Sequence, residues 1–224
     1  MNLESFVRLR PYLFHLTSSE NMHRVVEDPC LKPASELMAK AGSPGMLREK
    51  RVDHVPLKVD GKTVLLRDQR PLFQGNIEFQ DGWAFEDLLQ ELNRRVYFWP
   101  GTEKGPSAYG LRHFERYSKT ECAWLIRIPT ADLFSINEAV VPEFCQYNSG
   151  APRCSGGKKS PRGASTFLPA DRFAGTPSDV VEVTFTSAVR LPYGSGFGGG
   201  PTEKCIPFWP KRSRLGGDAF SLGR

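Results

Sequence analysis

The chain has 224 residues, 39% hydrophobic and 25% charged, which excludes a disordered chain and two large domains and leaves one medium domain with a real core. Thirty Lys and Arg against 25 Asp and Glu give a formal charge of +5, which permits a polyanionic partner without demanding one. Five cysteines, at 30, 122, 145, 154 and 205, form no Cys-x-x-Cys pair, and their odd number argues against a disulfide framework.

No apolar run approaches the length of a bilayer span, and the first residues lack a signal-peptide pattern, so a cytoplasmic protein with no membrane partner is expected. The four histidines, at 15, 23, 54 and 113, show no metal-ligand spacing, and Ser-based hydrolysis lacks its Gly-x-Ser-x-Gly elbow.

After Pro11, the run Tyr12-Leu13-Phe14-His15-Leu16-Thr17 reads as a strand whose period of two points His15 and Thr17 to one face. Ser18, Ser19 and Glu20 read as the cap of a helix over 20–27. The pair either satisfies itself in a core or faces a cleft at the strand end. A second helix is predicted over 33–41, with Pro33 in its first turn and Gly42 just past its end. Residues 55–59 and 62–66 flank Asp60-Gly61, the dipeptide of a type I′ hairpin turn. Arg67-Asp68-Gln69-Arg70 follows, dense charge between two apolar stretches.

Phe85, Leu88, Leu89 and Leu92 share one helical face, and the strand after them, 95–99, is expected to stop at Pro100-Gly101. Tyr97 and Trp99 lie on one face of that strand, as core or as a stacking platform. A helix over 109–117, a strand over 123–128 and a helical turn over 132–137 come next. Residues 147–162 read as a long loop carrying Asn148, Arg153 and Arg162, with guanidinium groups suited to phosphate.

Glu182 interrupts the apolar strand 179–185, either as a water-facing charge on an edge strand or as a carboxylate held in a cleft. From 193 to 224 the chain is Gly-rich and basic and reads as a flexible tail. Its Gly194, Gly196 and Gly199 match a dinucleotide fingerprint only in spacing, since no helix follows. Strands and helices mix without regular alternation, which indicates α+β architecture.

The motifs Tyr12-Leu-Phe-His15-Leu-Thr17, Leu66-Arg67-Asp68-Gln69-x-Pro71-Leu72, Leu92-Asn93-x-Arg95-Val96-x-Phe98-Trp99-Pro100-Gly101, Tyr147-Asn148-Ser149-Gly150-x-Pro152-Arg153 and Ser160-Pro161-Arg162-Gly163 resemble, in this order, a bacterial protein family without an assigned activity. That resemblance covers most of residues 8–192. The His-x-Thr opening, the central aromatic strand and the late strand glutamate are also similar to the ADP-ribosyltransferase fold, especially the DarT nucleic-acid ADP-ribosyltransferases and the RNA 2′-phosphotransferases.

This second resemblance implies a split β-sheet with flanking helices over 1–192 and NAD as co-substrate. His15 and Thr17 would hold its adenosine side, Tyr97 or Trp99 would stack on nicotinamide, and Glu182 would be catalytic. Arg67 or Arg70 would stand for the family's arginine. Asn148, Arg153 and Arg162 would meet a DNA or RNA acceptor. A non-catalytic nucleotide or nucleic-acid binding module, or an enzyme that hydrolyses NAD with water, fits the same residues.

Overall fold

Burial decides which sequence periods become structure here, and in the computed structural model it does so around one antiparallel sheet. The structure describes residues 1–119, 122–200 and the backbone of 206–207. Helix α1 (Leu3–Leu9) leads into β1 (Tyr12–Ser18), then α2 (Ser19–Glu27), β2 (Cys30–Leu31) and α3 (Ala34–Lys40). The hairpin β3 (Val55–Val59) and β4 (Lys62–Leu66) precedes β5 (Ile77–Phe79), α4 (Phe85–Asn93), β6 (Val96–Thr102) and β7 (Gly105–Pro106). Then come α5 (Ala108–Tyr117), β8 (Ala123–Pro129), α6 (Thr130–Ile136), β9 (Glu143–Cys145), β10 (Ser160–Arg162) and β11 (Leu168–Pro169). Strands β12 (Glu182–Phe185), β13 (Val189–Arg190), β14 (Gly196–Gly198) and β15 (Ile206–Pro207) finish the described chain. The architecture is α+β, as expected.

Among the described residues the main sheet has nine strands, in the order β11-β9-β12-β6-β1-β8-β14-β15, with β7 paired to β6. The largest apolar cluster lies against one face. Phe6 of α1 meets Phe144 edge-on at 5.2 Å between ring centroids, and Phe98 meets Phe185 in the same way at 5.7 Å. The β3–β4 hairpin forms its own small cluster with Met38 of α3. Asn21 of α2 ties it to the main body by bonding both the carbonyl and the N–H of Leu65, at 2.9 and 2.8 Å. Asp60 and Gly61 both take positive φ, 51° and 77°, as the predicted turn requires.

Four expectations are corrected. Strand β6 does not stop at Pro100-Gly101 but runs to Thr102, with Leu13 opposite Pro100 and Tyr12 opposite Gly101. The Pro100 carbonyl accepts from Ser107, on the side away from β1, so the missing proline N–H removes nothing from that ladder. Glycine is needed next door because a Cβ on Gly101 would lie 2.2 Å from the Gly105 carbonyl oxygen.

The strand bearing Glu182 starts at that residue, after a single 3₁₀ turn at Pro177–Asp179, and it is internal, between β9 and β6. The edge-strand reading of Glu182 therefore fails. The 147–162 segment is not loop throughout: it ends in β10, paired in parallel with β5. Finally, the sheet continues past 192, because β14 lies along the outer edge of β8 and Phe197 meets Trp124 at 5.4 Å. Apart from β15, the expected tail beyond 200 lies outside the described residues.

Candidate active site

The central sheet parts between two neighbouring strands, and the candidate site lies in the gap. Strands β1 and β6 pair only through Phe14 opposite Trp99, while β1 stays paired to β8 through Ser18. Continuing the first register would set Leu16 opposite Tyr97. Side chains take over there instead: His15 Nδ1 bonds the Tyr97 carbonyl at 2.9 Å, and Arg67 donates to the Leu16 carbonyl at 2.8 Å. Two carbonyls that a ladder would have satisfied are thus satisfied by an imidazole and a guanidinium. Both lips line a pocket of about 290 Å³.

The bond fixes the tautomer of His15. A carbonyl only accepts, so Nδ1 carries the proton and the neutral ring keeps Nε2 as an acceptor. Burial drives the pKa of His15 down to about 4, against the pull of the Tyr97 carbonyl and with help from the Arg67 charge, so the ring is neutral at physiological pH.

Glu182 lines the same pocket and is only 3% exposed. One carboxylate oxygen accepts from the Ser149 backbone N–H at 3.1 Å and from its hydroxyl at 2.6 Å. Burial raises the pKa to about 7, with those two bonds and then the Arg162 charge opposing the rise. A carboxyl group poised near neutrality can both stabilise positive charge and move a proton.

Ser149 is itself held from behind. Arg162 is 1% exposed, and its guanidinium donates to the carbonyls of Ser149, Asn148 and Pro161 and to the Ser160 hydroxyl, at 2.7–3.2 Å. It was expected to meet substrate directly. The structure instead has it shape the turn that carries Ser149.

The other expected residues divide cleanly. Thr17, Arg67, Tyr97, Trp99 and Asn148 all line the pocket with His15 and Glu182, although the chain separates them widely. Tyr97 is half-buried and donates its hydroxyl to the Leu92 carbonyl at 3.1 Å. Trp99 packs in the core with its ring 4.5 Å from that of His113, and among the described residues its Nε1 has no acceptor. Arg70 is corrected: it lies outside the pocket, exposed, bonded to Asp53 and the Val52 carbonyl. Arg153 is also outside, in a neighbouring pocket.

Several lining residues escaped the sequence reading. Arg51 donates to the Arg67 carbonyl at 2.9 Å and to Asn93 at 2.7 Å, and burial lowers its pKa to about 10. His113, in the middle of α5, is pushed to about 3 by burial and then by the charges of Arg67 and Arg116. Ser149 stood inside a motif that the sequence presents in full, but nothing local marked it as the partner of a glutamate thirty-three residues on.

A pocket of about 390 Å³ adjoins the first and shares His15, Thr17 and Asn21 with it. Fold and site together define an α+β protein with a buried carboxyl group facing a cleft at the parting of its central sheet. The chain belongs to the family described as "Family of unknown function (DUF7002)", which it matches over residues 11–192. No curated protein and no solved structure matches it. Among the described residues, no helix is long and apolar enough to cross a membrane.

Proposed function

We propose that the chain is an NAD-dependent mono-ADP-ribosyltransferase on an ADP-ribosyltransferase-like split sheet, with a nucleic acid as acceptor. The observation that carries this reading is the Glu182 carboxylate, buried, held by Ser149 and lining one pocket with His15, Thr17 and Arg67.

Three features support it. Neutral His15 offers Nε2 as an acceptor for a ribose hydroxyl, and a hydroxyl beside it at Thr17 adds a second polar group. Arg67 and Arg51 bring positive charge for a pyrophosphate. The central pocket and its 390 Å³ neighbour share His15 and Thr17, and their joint volume lies within the range of about 300–1,000 Å³ usual for ligand sites. The half-buried Tyr97 ring is the surface for nicotinamide, since Trp99 is committed to the core.

On this reading Glu182 acts twice. It stabilises the positive charge that builds at ribose C1′ as the bond to nicotinamide breaks and the electron pair leaves with the nicotinamide. It then receives the proton of the acceptor's nucleophilic atom as that atom bonds to C1′.

The test is incubation with labelled NAD, with and without DNA and RNA. Label on the nucleic acid supports the reading. Glu182→Gln should lower kcat by about 10²–10³-fold with affinity for NAD nearly intact, because the charge acts in the transition state. His15→Ala should instead weaken NAD binding. Turnover that is indifferent to any acceptor would make the protein an NAD hydrolase, and calorimetry that detects no NAD binding would leave a non-catalytic nucleic-acid binding module.

A further inference from the structure

A second pocket opens beside the first, on the side of helix α5, with a volume of about 430 Å³. His113 and Asn148 line both, so the two communicate. Its wall carries Arg112, Arg116, Arg153 and Arg162 and, among the described residues, no carboxylate.

Of these four, Arg162 is committed to the loop behind Ser149, whereas Arg112, Arg116 and Arg153 are exposed and form no ion pair among the described residues. Like charges gathered without acids repel one another, and an anion relieves that repulsion. Two tyrosines complete the wall. Tyr109 is 38% exposed with the Arg112 guanidinium 4.7 Å from its ring centre, and Tyr147 is 39% exposed with Arg162 at 5.3 Å.

We infer that this pocket binds single-stranded nucleic acid, with phosphates on Arg112, Arg116 and Arg153 and an unstacked base against Tyr109 or Tyr147. Guanidinium groups beside exposed aromatic rings are what a polyanion with flat, apolar bases calls for. A concave pocket with tyrosine in its wall suits a base that is free to enter it, and a duplex keeps its bases stacked and offers phosphates on a convex surface. The site rests on the proposed transferase only where the bound strand is taken as the acceptor: the pocket's position would then bring one nucleotide to the mouth of the cleft that holds Glu182.

The test is fluorescence anisotropy of a labelled twelve-nucleotide single strand, without NAD, between 50 and 200 mM salt. Three neutralised phosphates predict that affinity falls about twentyfold over that range, from a slope of about −0.7 per contact. The double variant R112A/R116A should bind more weakly and lose only about threefold, since one contact remains. Both positions are on the exposed face of a helix, where alanine favours folding.

A duplex of the same sequence and an acidic phosphopeptide serve as the competing arms, and either of them binding as tightly as the single strand overturns the inference. So does a double variant with wild-type affinity and salt slope. Strand binding without NAD turnover keeps this site and removes the transferase; NAD turnover without strand binding does the reverse.

Discussion

The buried carboxyl group of Glu182 leaves a signature in the pH dependence of stability that needs no substrate to observe. Its pKa stands at about 7 in the folded protein against 4.5 when exposed, so between those values the folded state holds a proton that the unfolded chain has released. Stability from this group is fully present below pH 4.5 and is lost as pH rises through 7. At 1.36 kcal/mol per unit, the loss is about 3 kcal/mol, or about 6–12 °C in Tm for a protein of this size.

His15 and His113 slope the other way. Their folded pKa values, about 4 and about 3, lie below the ordinary 6.5, so their contribution is present above pH 6.5 and is lost as pH falls. The wild-type profile alone therefore mixes opposing trends. Glu182→Gln removes one of them, and the difference between wild type and variant isolates it. Urea denaturation of both at pH 4.5, 5.5, 6.5 and about 8 should show the variant gaining about 3 kcal/mol on the wild type across the series. Parallel profiles, with the difference moving by less than about 1 kcal/mol, would refute the burial argument and with it the proton-poised carboxylate.

Ser149→Ala removes the shorter of the two bonds to Glu182 and should raise its titration midpoint further by about one unit, read by carboxyl carbon NMR; an unmoved midpoint contradicts the contact. Arg162→Ala strands three carbonyls and a hydroxyl behind the site, and should cost about 3 kcal/mol or more in chemical denaturation, where a loss under 1 kcal/mol would mean the loop holds without it. Gly101→Ala forces a Cβ against the Gly105 carbonyl and the Phe14 ring, and is expected to lower Tm by several degrees, with an unchanged Tm as the opposing result.

What the sequence made legible were the elements whose instructions are local. The Asp60-Gly61 turn, the apolar face of α4 and the apolar run after Pro11 that becomes β1 each carry their own physics, and each formed near its expected bounds. The failures depend on neighbours. Pro100 is harmless in β6 only because its nitrogen faces away from β1, which no local pattern records. Glu182 reads equally as an edge charge or a cleft carboxylate until β9 is seen on its other side.

Arg162 sits among Gly, Ser and Pro and reads as a guanidinium offered to a phosphate, yet the turn folds over it. Gly196–Gly198 extends the sheet through backbone bonds, for which a side-chain pattern gives little signal. Of the pocket wall, the sequence reading named His15, Thr17, Arg67, Tyr97, Trp99, Asn148 and Glu182, and missed Arg51, His113 and Ser149, whose partners are remote in the chain.

The parting of β1 from β6 also bears on how this protein can change over generations. His15 and Arg67 close the exposed carbonyls of Tyr97 and Leu16, so the atoms that face the cleft also clasp the sheet. A drift mutation at either position changes both the lining of the cleft and the bonding of the sheet. A lineage without the proposed activity would still need donors at these two points to keep the sheet bonded. The outward appearance of the cleft can therefore outlast the proposed activity, and a relative with both residues intact and Glu182 replaced would keep the fold without the carboxylate on which the proposed reaction depends.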